Sequence, residues 1–211
     1  MNVVLYGASG MIGSRILNEL TQRGHTVTAV VRDPSRVKSG GSVTAVKGDL
    51  TDPADVAAKL AKADAVISSY SPGQGTEAAL LPAVRSLLEG ARKALVKRVL
   101  VVGGAGSLFV APGVTLTESG YLPPEYKAIA IAHEDALEIL RNSASDLEWT
   151  YLSPAAFIQP GERTGKFRLG TDSLLTDAQG KSSISAEDYA IALVDELERP
   201  QHIRQRFTVA Y

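Results

Sequence analysis

The chain has 211 residues, 45% of them hydrophobic and 21% charged, which suits a globular protein long enough to bury a sizeable core. Lys and Arg total 22 against 23 Asp and Glu, a net charge of -1, so no global field draws it to nucleic acid or to an anionic membrane. There is no Cys, which excludes disulfides, thiolate metal sites and cysteine nucleophiles.

The first residues carry no basic segment, and their apolar run breaks at Gly7, so no signal peptide is expected. No apolar run reaches the roughly 18 residues that a membrane helix needs, and the expected setting is the cytosol. Val3–Tyr6 reads as a buried strand, after which Ile12, Ile16, Leu17 and Leu20 fall on one helical face. Gly24 ends that helix, Thr26–Val31 is the next strand and Val43–Val46 a third. Asp52-Pro53 predicts a capped helix through Leu60, followed by a strand at Ala65–Ile67 and a helix from Thr76 to Ala94. Val99–Val102, a helix over Pro124–Asn142 and Glu148–Leu152 complete the alternation. Near-continuous apolar strands between helices imply an α/β fold, a doubly wound parallel sheet covered on both faces. After Pro154 the rhythm changes: Gly161, Gly165, Gly170 and Gly180 punctuate short polar pieces. Ser185-Ala186-Glu187-Asp188 resembles a capping box for a last helix, and Phe207–Val209 ends the pattern as a strand. The expectation is one domain over residues 1–211, with 154–185 forming a small C-terminal appendage on the substrate side.

The turn Gly7-Ala8-Ser9-Gly10-Met11-Ile12-Gly13 stands between the first strand and the first helix. Backbone N–H groups converge at such a place and the helix dipole favours an anion. A side chain at Gly7 or Gly10 would block a pyrophosphate, and Gly13 lets helix and strand pack closely. The turn is therefore read as a dinucleotide cradle rather than a merely tight connection. An NAD site normally places an acid after the second strand, but Arg32 stands there with Arg36 nearby. Arginine suits a 2′-phosphate, so NADP(H) is preferred and NAD(H) is possible. Asp33 is open to two roles, ribose acceptor or cap of the next turn.

The Gly-x-x-Gly-x-x-Gly spacing resembles the extended and atypical short-chain dehydrogenase/reductases. Val31-Arg32-Asp33-Pro34, Gly48-Asp49-Leu50-Thr51-Asp52, Val101–Leu108, Tyr151–Phe157 and Pro160–Gly165 extend the resemblance over nearly the whole chain. Together they are similar to the small NAD(P)H-binding group of NADH-flavin reductase, biliverdin reductase B-like and NmrA-like proteins. That resemblance implies a Rossmann-like sheet, with Asp49 and Leu50 beside the adenine and Pro154, Ala155 and Phe157 flanking the nicotinamide. Gly103 and the polar segment with Ser69 and Tyr70 would line the ribose and nicotinamide side.

Orthodox members of that superfamily use a Ser, a Tyr and a Lys one helical turn later, the Lys lowering the Tyr pKa for proton donation. Ser107 matches the place of the Ser and Tyr126 lies nearest that of the Tyr, but Ala130 occupies the place of the Lys. His133, two turns after Tyr126, is a further candidate proton donor. His25 and His202 lack acidic or histidine partners at ligand spacing, so no metal site is expected. Hydride transfer to an electron-poor acceptor needs little protein acid, because the cofactor carries the hard chemistry. The leading expectation is thus an NAD(P)H-dependent reductase of a flavin, a quinone or a similar small conjugated acceptor. The alternatives are a non-catalytic NADP(H) sensor and, less favoured, a nucleotide-sugar epimerase or dehydratase. A monomer or a homodimer is expected, with Phe109, Val110 and Leu116 in a loop that could serve as a dimer contact or a lid.

Overall fold

Several of the apolar runs are buried almost end to end, which places them in the middle of a sheet rather than at its edge. The computed structural model describes Met1–Tyr211. The elements are β1 (Asn2–Tyr6), α1 (Met11–Gln22), β2 (Thr26–Val31), β3 (Val43–Lys47), α2 (Pro53–Leu60), β4 (Ala65–Ser68) and α3 (Leu80–Lys93). They continue as β5 (Arg98–Val102), β6 (Phe109–Ala111), β7 (Val114–Thr115), α4 (Pro124–Ser143), β8 (Glu148–Ser153), β9 (Phe157–Gln159), β10 (Arg168–Gly170), β11 (Ser183–Ser185), α5 (Ala186–Glu198) and β12 (Gln205–Ala210).

One eight-stranded sheet has the order β10-β12-β8-β5-β4-β1-β2-β3, parallel throughout except for β10. Alternate residues of each strand face opposite ways. Leu5, Ala29, Ile67, Leu100 and Leu152 pack under α1 and α5, while Val4, Val66, Val99, Trp149 and Tyr151 pack under α2, α3 and α4. The chain runs outward from β1 to β3 and then returns to β4 on the other side of β1. That reversal opens a crevice at the carboxyl ends of β1 and β4, as in Rossmann-like doubly wound folds.

Local chemistry sets most of the boundaries. The Asp52 carboxylate accepts from Ala54 N–H at the start of α2, with Pro53 in the first turn. Ser185 Oγ accepts from Asp188 N–H at 3.0 Å and starts α5. The reciprocal half of a capping box is missing, because the Asp188 side chain turns away to Thr164, Gly165 and Tyr211. The segment expected to be helical from Thr76 opens as a 3₁₀ turn over Glu77–Ala79 and becomes α-helical only at Leu80. Pro82 has no N–H to give to residue 78, so a continuous α-helix cannot start earlier.

The five short strands β6, β7, β9, β10 and β11 lie outside the expected pattern. β6 and β7 form a hairpin around Gly113, whose φ is +74°. Backbone bonds between Phe109 and both Asp172 and Leu174 clip this hairpin to the segment after β10. Leu116, expected in an exposed loop, is buried because its N–H bonds Leu108 O and draws it under the β5 loop. β9 and β11 pair in parallel beside the main sheet, and β10 closes its edge against β12.

At the amino edge of the strands lies a buried polar lock. Arg98 of β5 donates to Glu196 of α5 at 3.0 Å and to Thr150 of β8 at 2.7 Å. Glu196 also accepts from the N–H groups of Gln201 and His202 and pairs with His202 Nδ1. His202 stacks on Phe207 of β12 with 4.2 Å between ring centroids. The lock joins three strands and a helix at the end remote from the crevice.

The α2–α3 contact gives a test of this packing. A Cβ on Gly90 would lie 2.3 Å from Val56 Cγ1. Gly90→Ala gains about 1 kcal/mol of helix propensity but overpacks this contact. A net loss of about 1–3 kcal/mol is expected in urea unfolding, with the carboxyl-end crevice unaffected.

Candidate functional site

Three close approaches build the glycine turn. Gly7 has φ +77°, and a Cβ there would sit 2.4 Å from Ser69 O, so the end of β1 touches the end of β4 backbone to backbone. A Cβ on Gly13 would sit 2.1 Å from Gly7 O, which is why α1 approaches its own turn so closely. Gly10 meets only Gly7 O, at 3.3 Å, so its requirement comes from the crevice side. Gly10 is the N-cap of α1 and offers no side-chain cap, and no acidic residue stands in the first turn. The N–H groups that begin every helix without an intrahelical partner therefore open toward the crevice. That arrangement fits a diphosphate, whose oxygens would fill the space a Cβ would close.

The crevice has a volume of about 900 Å³. Of the residues expected at a cofactor, Gly7, Ser9, Gly10, Met11, Ile12, Arg32, Arg36, Asp49, Leu50, Ser69 and Tyr70 line it together. Ala8 is buried in the core beside them and Gly13 lies behind the turn. Sequence reading missed Tyr6, Lys47, Thr51 and Asp55, which reach the same space. Tyr6 continues the apolar run of β1, and only its alternation toward the α2 side signals that its hydroxyl lies under the crevice. Burial, with Asp55 and Asp49 nearby, pushes that phenol far up.

The geometry resolves the two roles of Asp33. Its carboxylate accepts from Ser35 N–H at 3.1 Å and Ser35 Oγ at 2.7 Å and caps the turn Pro34–Arg36. These bonds hold its pKa below the usual range, and Asp33 does not line the crevice. Arg32 and Arg36 do, with Lys47 beside them. Asp49 is likewise engaged by its own turn: its Oδ1 takes Thr51 Oγ1 at 2.7 Å and Thr51 N–H at 2.8 Å, bonds that lower its pKa.

Beyond the crevice, the loop after β5 carries the chemistry candidates. Its glycines are explained by packing. A Cβ on Gly103 would lie 2.1 Å from the Tyr151 ring, one on Gly104 2.8 Å from His133 Cβ, and one on Gly106 2.6 Å from Thr117 Oγ1. Gly103 thus does not reach the crevice lining; it lets the loop lie flat on Tyr151. Tyr151 donates to His133 O at 2.8 Å and accepts from Gly104 N–H at 3.0 Å. Burial lowers the His133 pKa to about 4, so its imidazole is neutral near pH 7 and carries no proton to donate as a cation. Tyr126 stands on the first turn of α4, largely exposed, and Ala130 is buried one turn later. Ser107 is half-buried, and Arg206 Nη1 donates to its Oγ at 3.3 Å. The structure thus separates the three candidates: Ser107 and His133 sit on or under one loop, and Tyr126 stands in solvent.

In the segment after β8, Pro154 and Ala155 are buried, while Phe157 of β9 is 65% exposed. The following loop is tied down from below. Asp188 accepts from the N–H groups of Thr164 and Gly165 at 2.8 Å each. Glu187 takes Gly161 N–H and also pairs with Arg15 of α1 at 2.9 Å. Arg163 grips the buried Glu19 of α1 through two bonds of 2.8 Å, which lowers the Glu19 pKa. No group of His, Asp and Glu side chains is gathered as a metal site would require. No helix is long and apolar enough to cross a membrane.

His133 supplies a pH test. The unfolded ring takes a proton near its ordinary value of about 6.5, whereas the folded ring resists it until about pH 4. Its contribution is therefore complete above the unfolded value and is lost as pH falls through that window. In chemical unfolding between neutral pH and pH 4, the wild type should lose about 2–3 kcal/mol more than His133→Gln. Parallel pH curves for the two proteins contradict the burial described.

The sequence profile of a family described as NAD(P)H-binding matches residues 7–200. A solved Burkholderia pseudomallei structure, described as a candidate exported protein, is 52% identical, with a TM-score of 0.92 and full coverage of both chains. A Bacteroides thetaiotaomicron structure, described as a candidate epimerase, is 42% identical over all of this chain and 96% of its own, with a TM-score of 0.94. A Streptococcus pneumoniae structure, described as a candidate NADH-flavin reductase, is 36% identical over all of this chain and 99% of its own, with a TM-score of 0.83. With its glycine turn, reversed strand order and crevice, the chain belongs to the NAD(P)H-binding family and has a Rossmann-like fold.

Proposed function

We propose that this protein is an NAD(P)H-dependent oxidoreductase that prefers NADPH and passes its hydride to a flavin, a quinone or a similar small conjugated acceptor. One observation carries the reading. The uncapped start of α1 and the Arg32–Arg36 pair line one crevice, while the only acid after β2 is spent on Ser35. In this reading the diphosphate rests on Gly7–Gly13 and the 2′-phosphate between Arg32 and Arg36. The adenine lies against Asp49 and Leu50, and Ser69 and Tyr70 border the ribose. Pro154, Ala155 and Phe157 flank the nicotinamide, with residues 154–185 as the substrate side of one 211-residue unit.

The acceptor class follows from what is missing around the proton. Tyr126 has Ala130 where a Lys would lower its pKa, and the His133 ring is neutral near pH 7. Such a site suits an acceptor whose reduced form tolerates negative charge, since hydride transfer then needs no committed protein acid. The epimerase description of the Bacteroides structure asks for a proton-moving pair that these residues do not supply. Dependence on a reduced dinucleotide, a metabolite of the cell interior, argues for a cytosolic reaction.

The test is anaerobic oxidation of NADPH, with NADH as control, against FMN, simple quinones and aldehydes, followed by cofactor absorbance. Acceptor-dependent oxidation is expected with the flavin or the quinones. Gly10→Asp should abolish both binding and turnover, because a carboxylate would fill the diphosphate cradle. Arg32→Ala should weaken NADPH by roughly tenfold or more and leave NADH nearly unchanged. Binding detected by Trp149 fluorescence without turnover of any acceptor would replace the reductase by a redox sensor.

A further inference from the structure

Arg206, the second residue of β12 and level with Tyr151 of β8, is a charged residue that nothing so far explains. Its side chain is only 2% exposed. Nε and Nη2 both donate to Asp172 Oδ1, and Nη1 donates to Ser107 Oγ at 3.3 Å. All three branches of the fork are thereby assigned: two fix its plane and the third reaches the loop after β5. Asp172 is half exposed, held by the Arg206 fork and lying 3.7 Å from Arg141. The other titratable groups facing this place are Tyr151, His133 and Glu134, and none of them bonds Ser107.

A hydroxyl has one proton and two lone pairs. A cation that donates into one lone pair from the protein side turns the O–H bond away from itself. Ser107 is half-buried and accepts from nothing else, so its proton is left for the open side. The loop cannot swing off this geometry, because Gly103, Gly104 and Gly106 lie against Tyr151, His133 and Thr117. Leu108 N–H bonds Ala105 O and Thr117 N–H bonds Gly106 O, closing the turn on both sides of Ser107.

We propose that Arg206, held in plane by Asp172, is a positioning residue that fixes the Ser107 hydroxyl as a donor to the carbonyl oxygen of a conjugated acceptor. This rests on the oxidoreductase reading and narrows it to enones and quinones, in which reduction places negative charge on oxygen. In the step, a C–H bond of the dihydronicotinamide breaks and a new C–H bond forms on the acceptor with the same electron pair. The acceptor's π pair moves to its carbonyl oxygen, and water later supplies the one proton that neutralises it. The dinucleotide is oxidised by two electrons and the acceptor is reduced by two. Ser107 bonds the oxyanion as it forms, and the buried guanidinium behind it strengthens that bond.

The probe is a nitrophenol, whose colour reports ionisation and whose phenolate mimics the oxyanion. It is titrated with the full-length protein saturated with NADP⁺. In the wild type the bound phenol should ionise about one pH unit or more below its free value. Ser107→Ala should abolish that displacement. Arg206→Gln should remove most of it although Ser107 is still present, and Arg206→Lys should keep part, since one ammonium cannot serve Asp172 and Ser107 together. With an enone or quinone, Ser107→Ala should lower kcat about 10²-fold, with KM for NADPH unchanged. Should the Arg206 variants melt below the assay temperature, Asp172→Asn decides the matter: it leaves the guanidinium in place with a weaker clamp, and a partial loss of displacement is expected. A wild-type displacement in folded Arg206→Gln or in Asp172→Asn, or a nitrophenol that binds without displacement, overturns the proposal. NADPH binding and acceptor-dependent oxidation are read separately. Their loss would end the oxidoreductase reading, while their persistence with an unresponsive probe would end only the role of Arg206.

Discussion

The site depends on one steric constraint, the contact of Gly7 with two backbones at once. Its Cα has Ser69 O on one side, and its carbonyl occupies the place a Cβ of Gly13 would take. These contacts bring β1, α1 and β4 together at the point where the strand order reverses. The start of α1 is left bare of side chains, and the crevice between β1 and β4 keeps a backbone floor. Any residue larger than glycine at either end would separate helix from sheet and move the N–H groups away from a diphosphate. Binding chemistry and sheet packing here are two results of the same missing carbon atoms.

Legibility in the sequence follows the range of the forces involved. Val3–Tyr6 and Val99–Val102 announce themselves because burial on both faces demands unbroken apolar runs. Asp52 and Ser185 do so because a cap acts within a few residues. β9 and β11 give no such signal: each is three residues long, and Phe157 finds Ser183 only through the fold. The same limit divided the site. Arg32, Arg36 and the glycine turn were legible from local spacing. Tyr6 was concealed inside a strand pattern, and the Gly103 glycine was visible while its cause, the ring of Tyr151, was not. The Asp188 carboxylate was expected to serve its own helix, yet Thr164, Gly165 and Tyr211 hold it. Long-range partners of this kind outweigh a local capping preference of about 1 kcal/mol.

The two sides of the crevice are mechanically linked. Helix α1 presents its first turn to the crevice, and the face it turns to α5 and the loop after β9 carries Arg15 and Glu19. Arg15 meets Glu187, which also holds Gly161, and Glu19 meets Arg163. The loop over residues 160–166 is therefore tied both to α5 and to the helix that would bear the diphosphate. Glu19 is buried, so this tie is shielded from solvent on one side and is stronger than a surface pair. A displacement of α1 toward a bound anion would be felt at the loop through these charge-assisted bonds.

The polar lock of Arg98, Thr150, Glu196 and His202 has an evolutionary consequence. It holds β5, β8, β12 and α5 in register from the amino edge, while the loops after β5 and β8 leave from the opposite edge. Mutations in those loops can thus accumulate without loosening the strands that carry them. A frame anchored at one end and variable at the other lets the lining at the carboxyl edge change while the glycine turn and its crevice are inherited intact.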